Sequence, residues 1–152
     1  MERVGLISCA RRKCEYAAQA RDLYISPLFV KSRQYVEQHC DRCYILSAKY
    51  GLVRPDECIA PYDETLNTMS RPARKQWAAR VWERLAANLQ RGDEVIILAG
   101  LRYREFLVPM IEAHGCCVVM PMRGTPRWRQ LQWLSERLRE CADQSPGRRR
   151  GG

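Results

Sequence analysis

Ser47, Lys49 and Tyr50 bring a hydroxyl, an ammonium and a phenol into one short stretch, Ser-Ala-Lys-Tyr-Gly, which closes on Gly51. Asp63 ends a second stretch, Pro-Tyr-Asp, with Tyr62 beside it. A carboxylate close to a sugar stabilises an oxocarbenium-like centre or orients water, as in glycoside hydrolysis. Asp63 is the first candidate for that work and Asp56 the second. Tyr50 and Tyr62 offer ring faces for a base. Arg12, Lys13, Lys49 and Arg104 have the charge to hold phosphate through charge-assisted hydrogen bonds. Ser8 and Ser47 add hydroxyls, Gly51 and Gly100 add backbone amides that a ligand can approach, and Tyr103 stands next to Arg104. Cys9 is a candidate nucleophile, because the cations that follow it favour a thiolate. No His lies near it in sequence to serve as a base.

These groups need elements that carry them to one place. Val4-Gly5-Leu6-Ile7 reads as a first strand, followed by Ser8-Cys9-Ala10-Arg11-Arg12-Lys13. The cation run is a candidate anion cradle, although the glycine spacing of a P-loop is missing. Tyr44-Ile45-Leu46 reads as a second strand, buried on both faces, and runs into Ser47–Gly51. Glu94–Leu98 is the clearest strand and stops at Ala99-Gly100. A helix start there, beside Arg102, Tyr103 and Arg104, would favour an anion. Cys116–Met120 is the fourth strand, ending in Pro121-Met122-Arg123-Gly124.

Helices alternate with the strands. Ser26-Pro27 and Ser70-Arg71-Pro72 are helix starts, with a capping hydroxyl and an early proline. Trp77, Val81, Leu85 and Leu89 recur every four residues, which buries one face of the helix through about Gln90. A third helix runs to about His114, with Pro109 as a kink. Thr125-Pro126 starts a last helix to about Ala142, with Leu131, Leu134, Leu138 and Cys141 as its seam. Residues 17–22 read as a linker. Lys49 to Met69 reads as the longest irregular stretch, and long loops in compact domains are usually functional. Four strands alternating with four helices predict a single three-layer α/β/α domain over 1–142, Rossmann-like, with a mainly parallel four-stranded sheet. All four strand ends then share one edge, which is where open α/β sheets hold ligands. Residues 143–152 read as a basic, disordered tail.

Composition narrows the partner. The net charge is +9, from 26 Lys and Arg against 17 Asp and Glu, and Arg148, Arg149 and Arg150 account for only three of those charges. A basic domain points to nucleic acid, a nucleotide or another polyanion. No apolar run reaches the length of a membrane span. The N-terminus enters a strand directly, without a secretory pattern, so the expected location is cytoplasmic. The 8 cysteines then read as reduced thiols. Cys40-Asp41-Arg42-Cys43 has the spacing of half a zinc site, but no second knuckle follows, and neither a metal nor a cofactor is expected.

An ordered series of segments carries a resemblance: Cys9 with Lys13; Asp22 to Phe29; Ile45 to Leu52, reading Ile-Leu-Ser-Ala-Lys-Tyr-Gly-Leu; Pro61-Tyr62-Asp63; Leu98-Ala99-Gly100 with Tyr103-Arg104; and Gln130-Leu131-Gln132-Trp133-Leu134. The series resembles an uncharacterised family of bacterial and phage proteins often labelled YaaA-like, or peroxide-stress-like, across most of Val4 to Leu138. That family tends to carry a Gly-rich turn before the last helix, where this chain has Arg123-Gly124-Thr125-Pro126-Arg127. The Ser47–Val53 segment also resembles the turn of archaeosine synthase core domains, which have a uracil-DNA-glycosylase-like fold. The first resemblance implies DNA binding, the second nucleobase handling.

The expected function is an enzyme that handles a nucleotide or nucleobase, acting at the N-glycosidic bond as a glycosylase-like hydrolase or transferase. The alternative is a non-catalytic DNA-binding protein of the YaaA-like stress-response type. The third option is a protein-interaction domain whose charges are only a solvated surface.

Overall fold

β1 (Arg3–Ser8) is apolar on both faces, with Val4, Leu6 and Ile7 buried, and such a strand needs neighbours on both edges and cover on both sides. In the computed structural model, which describes residues 1–143 with side chains through Cys141, it has them. Chain order continues with β2 (Ala18–Gln19), α1 (Ala20–Leu23), α2 (Pro27–His39), β3 (Arg42–Ser47), β4 (Gly51–Val53) and β5 (Cys58–Ile59). A 3₁₀ turn (Leu66–Thr68) precedes α3 (Arg71–Ala86), β6 (Glu94–Leu98), α4 (Leu101–Arg104), α5 (Leu107–Ala113), β7 (Cys117–Val119) and α6 (Arg127–Asp143).

The main sheet has the order β4-β3-β1-β6-β7. β1 pairs in parallel with β3 and β6, and β6 pairs in parallel with β7. The sheet is thus mainly parallel, as expected, but five-stranded rather than four. The additional strand, β4, runs antiparallel to β3 at the edge. The expected irregular stretch after Lys49 therefore begins as a hairpin. Gly51 reverses the chain with φ +76, a region glycine enters without steric cost. Leu52 and Val53 then bury against the core. The linker expected at residues 17–22 is also ordered: β2 pairs antiparallel with β5 in a small second sheet, and α1 follows.

Register lines up the strand ends. Ile7 lies opposite Ile45 on one side and Leu98 on the other. Ser8-Cys9, Ser47 and Ala99 consequently leave the sheet side by side. The Cys9 amide donates to the Leu46 carbonyl at 3.0 Å and fixes the first of these exits.

The helix caps fall where the sequence places them. The Ser26 hydroxyl accepts from the Phe29 amide and the Ser70 hydroxyl from the Ala73 amide. α3 buries Trp77, Ala78, Val81 and Leu85. It packs on β4 and α5, while α2 packs on β1 and α6. The helix expected to continue past Arg104 with a kink at Pro109 is instead two helices, α4 and α5, separated at Glu105 and Phe106. Pro109 sits in the first turn of α5, where its missing N–H costs no hydrogen bond.

The opposite, amino edge of the sheet is tied by charge. Asp93 is 2% exposed and accepts from the Glu2 and Gln90 amides, each at 2.9 Å. Those amides, with Arg42, hold its carboxyl below the usual carboxylate range. Arg3 pairs with Glu94 and Arg42 with Glu2, each at 3.0 Å. Among the described residues no helix is long and apolar enough to cross a membrane. Asp143 closes α6, and the rest of the expected basic tail, 144–152, lies outside the described residues.

Candidate functional site

Three phenols meet under the carboxyl edge. The Tyr24 and Tyr62 hydroxyls are 2.6 Å apart, and the Ser47 hydroxyl donates to Tyr62 at 2.8 Å. Ser47 is fully buried at the end of β3, and its hydroxyl also accepts from the Tyr50 amide. Its carbonyl accepts from the Trp77 indole at 2.9 Å, so α3 holds the strand end in place. The Cys9 thiol donates to the Tyr103 hydroxyl at 3.5 Å and is linked to Tyr62 as well. Tyr103 accepts from the Leu66 amide and lies 3.5 Å from the Thr65 hydroxyl, which ties α4 to the long loop.

Burial pushes all three phenols up, Tyr103 to about 12 and Tyr24 and Tyr62 further. At neutral pH they are hydroxyls that pass hydrogen bonds, not bases.

Lys13 roofs this network. Its ammonium lies 4.4 Å from the Tyr62 ring centroid and 5.7 Å from that of Tyr24, a cation–π arrangement. A single antiparallel bridge between Lys13 and Tyr24 sets it there. Burial lowers the Lys13 pKa, and the nearby Cys9, Asp63 and Glu64 oppose that shift. Beside Lys13 opens a cleft of about 380 Å³, lined by Arg11, Lys13, Cys14, Glu15, Tyr62 and Asp63. Asp63 is exposed and accepts no hydrogen bond among the described residues. Its carboxylate is free to act on a ligand.

The sequence candidates separate into two groups. Cys9, Lys13, Ser47, Tyr62, Asp63 and Tyr103 come together, with Ser8 at the end of β1 beside them. Tyr50 joins from the hairpin, edge-on to Tyr62 at 5.5 Å between centroids, with its hydroxyl donating to the Ala60 carbonyl at 3.3 Å. Lys49 is exposed and lies over the Tyr50 ring at 5.4 Å. Other expectations need correction. Tyr62 is 7% exposed and its ring carries Lys13, so no base can stack on it. Gly51 serves the hairpin, opposite Ser47, rather than a ligand cradle. Gly100 caps α4 with open space above it, but α4 has only 4 residues. Arg12 and Arg104, expected to hold phosphate, form no ion pair among the described residues and stay candidates for that contact. Asp56 pairs with Arg54 at 3.2 Å in a different cleft, of about 370 Å³, beside the start of β3.

Neither histidine is at the site. His39 packs on Tyr35, and His114 lies against Trp82 and the Leu89 carbonyl. A Cys9–His pair is therefore absent. Cys40 and Cys43 lie at the amino end of β3, away from the cluster, and burial pushes the Cys40 thiol up to about 11. Among the described residues no group of three His, Cys, Asp or Glu is placed to hold a metal ion.

The pattern of a family of unknown function, DUF6884, matches residues 4–136. The chain belongs to that family. The DUF6884 match begins in β1 and ends within α6, so every residue of the cluster falls inside it. An uncharacterized protein of Bacillus subtilis strain 168, YfjM, is similar: 28% identical over 127 residues, covering 75% of this chain and 80% of YfjM. No solved structure matches the chain.

Two members of the cluster are not among the sequence candidates. Tyr24 reads equally well as packing, and its bond to the Tyr62 hydroxyl and its bridge to Lys13 bring it in. Glu64 sits one residue past the candidate carboxylate and contributes through its charge on Lys13.

Proposed function

We propose that the protein is an enzyme acting on a nucleotide unit at its N-glycosidic bond. The observation that carries the reading is the pairing of an uncommitted carboxylate, Asp63, with the half-buried ammonium of Lys13 at the mouth of one cleft. Cleaving a glycosidic C–N bond builds positive charge on the sugar and negative charge on the base, and that cleft offers a group for each. The bond breaks with its electron pair moving to the base nitrogen, which takes a proton from the Lys13 ammonium. Water attacks the sugar carbon and gives its proton to Asp63. Burial lowers the Lys13 pKa, which makes the ammonium a better acid at neutral pH. The buried Tyr24–Tyr62–Ser47 network fixes the ring on which Lys13 rests. The YaaA-like and glycosylase-like resemblances and the basic charge support the same substrate class.

The test is mass spectrometry of bases released from nucleosides, nucleotides and oligonucleotides. The wild type releases a base, and Asp63→Asn lowers the rate about 10²- to 10⁴-fold with an unchanged melting temperature. An Asn variant that turns over normally, or one that melts far earlier, removes Asp63 from the chemistry. No release from any substrate by the wild type overturns the enzyme reading in favour of non-catalytic nucleic-acid binding.

A further inference from the structure

Cations stand on both edges of the sheet. At the amino edge Arg3 and Arg42 are neutralised by Glu94 and Glu2, while Arg91, before β6, forms no ion pair among the described residues. At the carboxyl edge each loop leaving a parallel strand carries a cation that forms no ion pair among the described residues. Arg12 follows β1, Lys49 follows β3, Arg102 and Arg104 follow β6, and Arg123 follows β7. Asp63 and Glu64 offset part of this charge beside Lys13, but the loop cations themselves have no ion-pair partner among the described residues, and a polyanion laid along their row relieves their mutual repulsion. The row spans three inter-strand steps, β3 to β1 to β6 to β7, or about 14 Å at the usual strand spacing. One phosphate cannot meet it from end to end.

The row ends at an aromatic ring. Trp128, in the first turn of α6, is 79% exposed, whereas Trp77 is 1% exposed. The Arg129 guanidinium lies 5.3 Å from the Trp128 ring centroid. An open indole among arginines is the surface on which unpaired bases stack.

We infer that the substrate is a single-stranded polynucleotide, held outside the cleft by the carboxyl-edge cations and by a base stacked on Trp128. The inference rests on the nucleotide reading above and selects polymer over free nucleotide. A duplex keeps its bases paired and offers none to Trp128. A mononucleotide fills the cleft but leaves most of the row empty.

The experiment is fluorescence anisotropy of a labelled 20-nucleotide oligothymidylate, and of a duplex of equal length, with the full chain over a range of salt. The single strand binds more tightly than the duplex. Trp128→Ala weakens it about tenfold and Trp128→Phe restores most of the loss. The double variant Arg102→Gln/Arg104→Gln reduces the slope of log K against log salt by about 1.4. Equal affinity for duplex and single strand, or an unchanged affinity in Trp128→Ala, overturns the inference. Base release from free nucleotides without oligonucleotide binding overturns it too and leaves the enzyme reading standing. Oligonucleotide binding with the stated variant pattern, but no base release from any substrate, does the reverse.

Discussion

Tyr62 joins two kinds of interaction that are usually separate. Its hydroxyl completes a buried chain with Tyr24 and Ser47, and its ring seats the Lys13 ammonium. Removing the hydroxyl leaves two buried partners short of a hydrogen bond. Tyr62→Phe is expected to lose about 1–3 kcal/mol of stability, read from the urea midpoint, while the ring still holds Lys13. An unchanged midpoint would mean that water replaces the lost partner and that the chain does not organise the site. Lys13, Ser47 and Asp63 were legible in the sequence because each breaks the polarity of its surroundings at a turn. Tyr24 was not, because nothing local distinguishes a phenol that packs from one that hydrogen-bonds across the molecule. The stacking role expected of Tyr62 failed for a related reason: residue type shows a ring but not which side chain already covers it.

Among the elements, α2 and β1 are set by a close approach. A Cβ at Gly5 would stand 2.8 Å from the Val36 Cβ and 3.2 Å from the Cys40 thiol. Both are short stems with nowhere to swing, so Gly5→Ala must push α2 off the sheet. The expected cost is about 1–3 kcal/mol, visible as a lower melting temperature; a melting temperature equal to wild type would show that the helix gives way freely. The four parallel strands and the two proline-started helices could be read from the sequence, since apolar runs and capping serines are local signals. The β3–β4 hairpin could not. Gly-Leu-Val is too short to announce a strand, and its register comes from pairing with β3 and from burial of Leu52 and Val53. The separation of α4 from α5 was equally hidden, because the four-residue spacing of Tyr103, Leu107 and Ile111, all buried, continues across it.

At the scale of the molecule, the loops leaving the four parallel strands each carry a cation with no ion pair among the described residues, whereas Arg3 and Arg42 at the amino edge are paired. Alternation of strands and helices foretold that the strand ends would share an edge, whereas the order β4-β3-β1-β6-β7 depends on long-range pairing and left no trace in the sequence. Two clefts among the described residues are of nearly equal size, about 380 and 370 Å³, so volume does not identify the site. Chemistry does. Two of the three arginines that line the smaller one are engaged with acids, Arg42 with Glu2 and Arg54 with Asp56, whereas Arg21 forms no ion pair among the described residues. The larger one presents Asp63 beside an ammonium with no ion-pair partner within 4.0 Å among the described residues. The most direct measurement is an NMR titration of the labelled protein with a deoxynucleoside monophosphate. Shifts confined to the segments around Cys9–Lys13, Ser47–Tyr50 and Tyr62–Thr65 are the predicted result; shifts centred on Arg21, Arg42 and Arg54, or none at all, would contradict it.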